Sequence, residues 1–346
     1  MFGVLTRVGV EGTGSYGAGL TRHLTSLGHQ VIEVIRPNRQ LRRMSGKSDP
    51  IDAYAAAKTA LAKADQPTPK AGDGIVEQIR YLFTARRSAI KARTAAQVQL
   101  KSLLVTAPTF LRERFRDVTD VALITGLADF DSRPYPEQQG TVSALRLLAR
   151  RHRYLATEIR ALDQELETLT AYVNPALIAA AGVGPVTAAQ LLITAGDNPD
   201  RLRSEAAFAA LCGASPIPAS SGKTNRHRLN RGGDRHANSA LHRVALVRMS
   251  YEPRTKAYVE KKRAEGKSSK EIIRCLKRAI AREVFTLLTK EVEVPRVDDL
   301  RPFRQALGVT LQQVAAHFNV WAVKISRIER GLTRDDDLAQ AYREWL

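Results

Sequence analysis

Apolar residues recur at intervals of three, four or seven between Leu145 and Val173: Leu145, Leu148, Leu155, Ile159, Leu162, Leu166, Leu169 and Val173. A helix turns such spacing into one continuous stripe. A stripe that long needs an apolar partner along its length. The chain is thereby committed to a long helix over roughly 143–173, packed against other helices. A bundle within one chain and a coiled coil pairing two chains satisfy the seam equally. A second long helix is predicted from Gly74 to Ala107, where Ile75, Ile79, Leu82, Ile90 and Leu100 are interspersed with Arg80, Arg86, Arg87, Lys91, Arg93 and Lys101.

The N-terminal segment has another rhythm. Val4 to Val10 reads as a strand ending on Glu11, Tyr16 to Leu27 as a helix stopped by Gly28, and Val31 to Ile35 as a second strand. Strand, helix and strand within about 30 residues imply a βαβ unit with a parallel pair. Gly12-Thr-Gly14 lacks the third glycine of a dinucleotide loop and the Gly-Lys-Ser/Thr of a P-loop, so no nucleotide cofactor site is predicted. Glu11 stands at the C-terminal edge of its strand, where open α/β sheets place their sites. Asp49 is positioned to cap a helix with Pro50 at its first position, and Asp52 follows one turn on. By themselves these two are a cap and a surface acid. With Glu11 on the adjacent edge, three oxygen ligands could hold Mg²⁺ against a phosphate.

Lys and Arg number 54 against 35 Asp and Glu, a net charge of +19. Such an excess attracts polyanions, and nucleic acid is the default partner. An anionic membrane is the rival, but no apolar run approaches the ~20 residues of a span. The N-terminus shows no secretory pattern. Two cysteines, Cys212 and Cys275, form no paired metal spacing or disulfide framework, which fits a reducing cytoplasm.

The charge is concentrated. Ile217 to Lys290 holds nineteen Lys/Arg and six Asp/Glu, a net +13 in about a fifth of the length. At the start of this stretch Pro218-Ala-Ser-Ser221-Gly222 makes a loop, followed by Lys223, Arg226, Arg228, Arg231 and Arg235. A serine in such a loop is ordinarily a turn residue. No GxSxG elbow is present, so an acyl hydrolase is not indicated. Beside this many cations, the Ser221 hydroxyl is suited to attack phosphorus, with arginines stabilising the charge of the transition state.

Two further segments point to DNA. Gly182-Val-Gly184-Pro185 joins two helices rich in small residues, as in a helix-hairpin-helix whose backbone amides meet a phosphate. Its plain alternative is a tight helical hairpin. After a short linker at Val294-Pro-Arg-Val, Thr310 can cap a helix carrying Leu311, Val314, Ala315 and Phe318. Asn319-Val320 makes a turn. The next helix is predicted to keep Val323, Ile325 and Ile328 for the core and to expose Lys324, Arg327 and Arg330. This is a helix-turn-helix pattern, with a plain three-helix bundle as its alternative. Asp335-Asp336-Asp337 reads as a solvated cap rather than a metal site.

The stretches Glu11-Gly-Thr-Gly-Ser-Tyr-Gly17, Gly46-Lys-Ser-Asp-Pro-Ile-Asp52-Ala and Ala219-Ser-Ser-Gly-Lys-Thr, in this order, resemble insertion-sequence family 110 transposases, relatives of the Piv invertase. The resemblance covers about Val8 to Leu288. It implies an α/β plus mostly α architecture. A partial RuvC-like (RNase H-like) domain would span 1–108, a helical or coiled-coil linker 109–173, a basic serine-bearing transposase domain 174–290 and a helix-turn-helix 296–346. It implies that Glu11, Asp49 and Asp52 are three acids of an Asp-Glu-Asp-Asp quartet holding Mg²⁺. Ser221, directly before Gly222, would be the nucleophile rather than Ser220. A covalent phosphoserine–DNA intermediate, strand exchange, dimers pairing into tetramers and a structured guide RNA follow from the same resemblance. The double-stranded partners would be element ends and target. The family's first Asp lies on a strand upstream of the Glu, and none precedes Glu11. The chain as given is therefore expected to be one ligand short, through truncation or a misplaced start. Two other readings stay open: a DNA-binding protein without catalysis, and a nuclease using acids alone.

Overall fold

A computed structural model describes residues 5–34, 49–62, 68–219, 227–331 and 335–346. Strands β1 (Arg7–Glu11) and β2 (Gln30–Val34) pair in parallel, from Arg7 against Gln30 to Glu11 against Val34. Helix α1 (Ala18–Ser26) makes the crossover between them. The βαβ expectation holds, with α1 starting two residues later because a Gly12–Gly17 turn precedes it. Val10, Val31, Ile32 and Val34 are buried, and because the neighbours Val31 and Ile32 face opposite sides, both faces of β2 are covered. Helix α2 (Asp49–Ala62) packs on β1. Gly9 makes that packing possible: a Cβ there would lie 2.6 Å from the Ala56 carbonyl oxygen. Asp49 is the first residue inside α2 rather than the residue before it, a one-residue correction to the capping expectation.

The chain divides into two compact units, 72–170 and the remainder. In the first lie α3 (Ile75–Val105), α4 (Thr109–Arg114), α5 (Asp120–Ala128) and most of α6 (Gln139–Val173). Helix α3 packs within this unit. Leu100 of α3, Leu111 of α4, Leu123 and Leu127 of α5, and Val142, Leu145 and Ala149 of α6 share one core. Phe110 and Tyr135 stack beside it at 4.0 Å. Further along α6, Leu155 and Ile159 close on Ala89. Each large aliphatic side chain buried this way contributes roughly 1.5–3 kcal/mol. Burial within one chain therefore accounts for these stretches of the heptad-like seam.

The other unit is built on α7 (Pro175–Ala179), α8 (Pro185–Ala195), α9 (Glu205–Leu211), α10 (Arg235–Tyr251), α11 (Pro253–Ala264) and α12 (Ser269–Thr289). Ala188, Ala189, Ala237, Ala240 and Ala245 are fully buried, so α8 and α10 approach closely. Residues 68–71 dock on this part. Asn198 binds Pro69 and Ala71 through its amide, at 3.0 and 3.1 Å. Arg201 reaches the Thr68 carbonyl and, at 3.5 Å, Glu33 on β2. Between α9 and α10 a two-residue pair, β3 (Ile217–Pro218) and β4 (His227–Arg228), sets Ile217 against Arg228 and Pro218 against His227.

Residues 297–346 have their own core. Helices α13 (Leu300–Ala306), α14 (Leu311–His317), α15 (Ala322–Glu329) and α16 (Asp336–Trp345) enclose Leu300, Val314, Ile325, Ile328, Ala339 and Tyr342. Thr310 and Gln313 form a capping box at the start of α14, and Asn319 turns the chain at φ +50°. Asp335 caps α16 by accepting from the Leu338 amide, as expected for the acidic run. Val323 is a correction: it is 67% exposed, with Trp321 at 86%. One helical face cannot bury 323, 325 and 328 together, because 323 and 325 lie about 200° apart.

Candidate DNA-binding pocket and catalytic residues

A cavity of ≈ 650 Å³ opens beside β3 and β4. Its cations are Arg228 of β4, Lys267, and Arg274, Lys277, Arg278 and Arg282 of α12; the acid lining it is Glu271. The sequence of α12 explains the wall. A capping box of Ser268 and Glu271 starts the helix. Ile272, Leu276, Ile280 and Val284 repeat every four residues and are buried. Arg274, Arg278 and Arg282 repeat with the same spacing, displaced by two residues. Two residues are about 200° of helix, so one stripe enters the core as the other turns toward the cavity. Glu205 at the start of α9 pairs with Arg278 and, at 3.0 Å, with Arg282. Burial pushes the Glu205 carboxyl up, but these arginines outweigh it and hold it below its ordinary range.

The excursion that carries β3 and β4 is closed at its base by backbone lying on backbone. Gly213 and Gly233 have φ of +62° and +78°. A Cβ on Gly233 would lie 2.6 Å from both the Gly213 nitrogen and the Leu211 oxygen. The Asp234 amide donates to Leu211 at 2.6 Å, while its carboxylate caps α10 through the His236 and Ala237 amides. Gly233→Ala combines a left-handed conformation with a clash against atoms that cannot yield. It is expected to cost about 2–4 kcal/mol. Denaturant unfolding measures this, and a loss below about 1 kcal/mol would show that the two turns do not press together.

The sequence-predicted residues fall as follows. Ser221, Lys223 and Arg226 lie outside the described residues. Arg228 lines the cavity, while Arg231 and Arg235 are exposed near the base of the same excursion. Gly182 turns at φ +73° against α10, and Gly184 precedes α8. The Arg248 guanidinium holds this turn, donating to the Ala181 carbonyl at 2.7 Å while paired with Glu283. Lys324 is half-buried and paired with Asp335 at 2.7 Å, whereas Arg327 is exposed. Glu11 is half-buried at the end of β1, Asp52 is half-buried on α2 and Asp49 is exposed. Among the described residues, no three His, Cys, Asp or Glu side chains are grouped to hold a metal ion. Sequence reading overlooked Arg274, Lys277, Arg278 and Arg282, although the four-residue spacing of the arginines was visible. Cys212 is buried, its thiol pushed up to about 12 by burial and Asp234, and Cys275 is half-buried beside the cavity. No described helix is long and apolar enough to cross a membrane.

Two family models match the chain in sequence order. A model described as Transposase, of the IS110 DEDD kind, covers residues 4–109, and the Transposase IS116/IS110/IS902 family covers 174–260. Together they define the class: the chain is a transposase, an enzyme that acts on DNA. It is similar to an uncharacterized 42 kDa protein of insertion element IS900 from Mycobacterium paratuberculosis. The two are 26% identical over 288 residues, 71% of this chain and 72% of that protein. An uncharacterized 43.6 kDa protein of insertion element IS110 from Streptomyces coelicolor is 30% identical over 144 residues, 39% of this chain and 35% of that protein. The chain belongs to the IS110 family of transposases. Helix α12 and the last fifty residues lie outside both family models.

Proposed function

We propose that this transposase moves an insertion sequence by serine attack on a DNA phosphodiester, with Ser221 as nucleophile and the cation-lined cavity as the phosphate site. One observation carries the proposal: Pro216, just before β3, and His227 and Arg228 of β4 line that cavity, and the residues joining the two strands include Ser221. Covalent geometry keeps Ser221 within about 11 Å of Pro218. In the proposed step the Ser221 Oγ–P bond forms as the P–O bond to one strand end breaks. The hydroxyl proton leaves to a base or to water, and the departing oxygen takes up a proton. The phosphoserine–DNA ester conserves the bond energy, so a DNA hydroxyl can attack it in the reverse sense and complete exchange without external energy. Arg228 and the α12 cations would neutralise charge on the non-bridging oxygens.

Lys223, Arg226, Arg231 and Arg235 would hold the flanking backbone. The turn at Gly182 and Gly184 would offer amides to a further phosphate. Lys324 and Arg327 would meet DNA from α15 in a helix-turn-helix. Transposases of the DEDD kind typically use a divalent metal. Glu11, Asp49 and Asp52 are the proposed holders of Mg²⁺, on the family resemblance. The described acids are not gathered as such a site, and no step is derived through the ion. Assembly as dimers or tetramers and guidance by a structured RNA belong to the same proposal. Trapping of a denaturation-resistant protein–DNA adduct, with and without Ser221→Ala, tests the central claim. It also separates the proposal from a binding protein without catalysis and from an acid-only nuclease.

A further inference from the structure

The cations around the cavity are not alike. Arg278 and Arg282 are engaged by Glu205, and Arg274 lies 3.9 Å from Glu271. Lys277 is 6% exposed, and among the described residues its ammonium has one partner, the Asn238 side-chain oxygen at 2.6 Å. Asn238 spends its amide protons on the Cys212 and Gly213 carbonyls, both at 2.9 Å. That leaves its oxygen turned toward Lys277 and fixes where the ammonium sits. An ammonium has three protons to donate, so Lys277 retains capacity beyond Asn238.

Taking a cation out of water without an anion is costly. The cost is visible in this residue, since burial pulls the Lys277 ammonium below its ordinary range. Apolar packing gives no reason for a charge at this position. Lys277 is neighbour to Leu276 and one turn before Ala281 on the buried side of α12, where an unbranched apolar residue would pack without penalty. A buried charge held at such cost, lining a cavity, is explained by an anion that enters the cavity.

We propose that Lys277, positioned by Asn238, is a phosphate ligand on the wall of this cavity and takes a non-bridging oxygen of the DNA phosphodiester. The assignment rests on the reading of the cavity as the phosphate site, and it adds the residue on which occupancy depends. Lys277 differs from Arg274, Arg278 and Arg282 in having, among the described residues, no carboxylate to release before the phosphate arrives.

The test needs a readout local to the cavity, because a chain of net charge +19 binds polyanions at many places. Cys275 supplies it. Cys275 is half-buried and lines the cavity, whereas Cys212 is fully buried. Alkylation of Cys275 in the full chain is followed while a short abasic deoxyribose-phosphate oligomer is titrated in. The oligomer is expected to protect Cys275 in the unaltered chain. Lys277→Gln keeps a donor for Asn238 without the charge, and Lys277→Met keeps only the length. Both are expected to raise the half-protecting concentration about tenfold to a hundredfold, the range for loss of one charge-assisted hydrogen bond. Their thermal midpoints should equal or exceed that of the unaltered chain. Equal protection in Lys277→Gln, or no protection of Cys275 in the unaltered chain, overturns the proposal. So does a lowered midpoint in Lys277→Gln, which would mark the lysine as structural. Ser221→Ala is expected to protect Cys275 normally while forming no adduct. If Ser221→Ala still formed the adduct, the serine reading would fall and the protection data would still decide the role of Lys277.

Discussion

Ser221→Ala is expected to abolish the covalent protein–DNA adduct on element-end DNA, by at least about a thousandfold, while affinity for the same DNA changes less than about twofold. The asymmetry follows from charge. Removing a hydroxyl deletes the atom that bonds to phosphorus, but it leaves the net +13 of Ile217 to Lys290 and the cations of the cavity in place. Affinity for the backbone is set by how many phosphates the cations neutralise, so the slope of binding against salt should also be unchanged. Adduct measured on denaturing gels and binding measured across a salt series separate the two effects. Persistence of the adduct would remove Ser221 as nucleophile. Cleavage that persists without an adduct would leave the acids as the cutting groups.

Arg304→Ala is expected to unfold residues 297–346 and leave the remainder folded. The guanidinium donates twice to Glu329, at 2.6 and 3.1 Å, and once to the Val309 carbonyl at 2.7 Å. The Tyr342 hydroxyl donates to the same carboxylate at 2.9 Å. Arg304 and Glu329 are both buried, with the Glu329 side chain 2% exposed. Removing one partner strands the other charge in the core, at about 3–5 kcal/mol. A segment of some fifty residues has a total stability of the same order, on the scale of roughly 0.05–0.15 kcal/mol per residue. Hydrogen exchange should show protection lost in α13 to α16 and retained in α3, α6, α10 and α12. Arg304→Met together with Glu329→Leu should recover much of the loss, because it removes both charges. Retained protection in the single variant would mean that the pair is not the keystone of this segment.

The long helices were legible because their information is local. A side chain three or four residues away shares its face whatever the rest of the chain does, and α3 and α6 appear within a few residues of the expected limits. The parallel β1–β2 pair was legible for the same reason, through period and punctuation. Val323 shows where local reasoning fails. Hydrophobicity alone placed it in the core, but the direction fixed by Ile325 and Ile328 leaves it exposed. The acids show a second limit. Glu11, Asp49 and Asp52 could be named one by one, but whether three carboxylates meet depends on how α2 lies on β1, and that docking turns on the absence of a side chain at Gly9.

The basic setting of Ser221 was visible in the residues themselves, since net charge needs no partner to be counted. The chain's order of motifs likewise sufficed to place it among transposases. The tertiary structure decided which cations share a cavity. It drew Arg228 to α12 across some fifty residues of sequence, engaged Arg278 and Arg282 with Glu205, and left Lys277 buried against an amide. Solvation and pairing are properties of the surroundings of a charge. Sequence states that a lysine is present, and only the packing of α9, α10 and α12 around it determines what its charge costs and what could offset that cost.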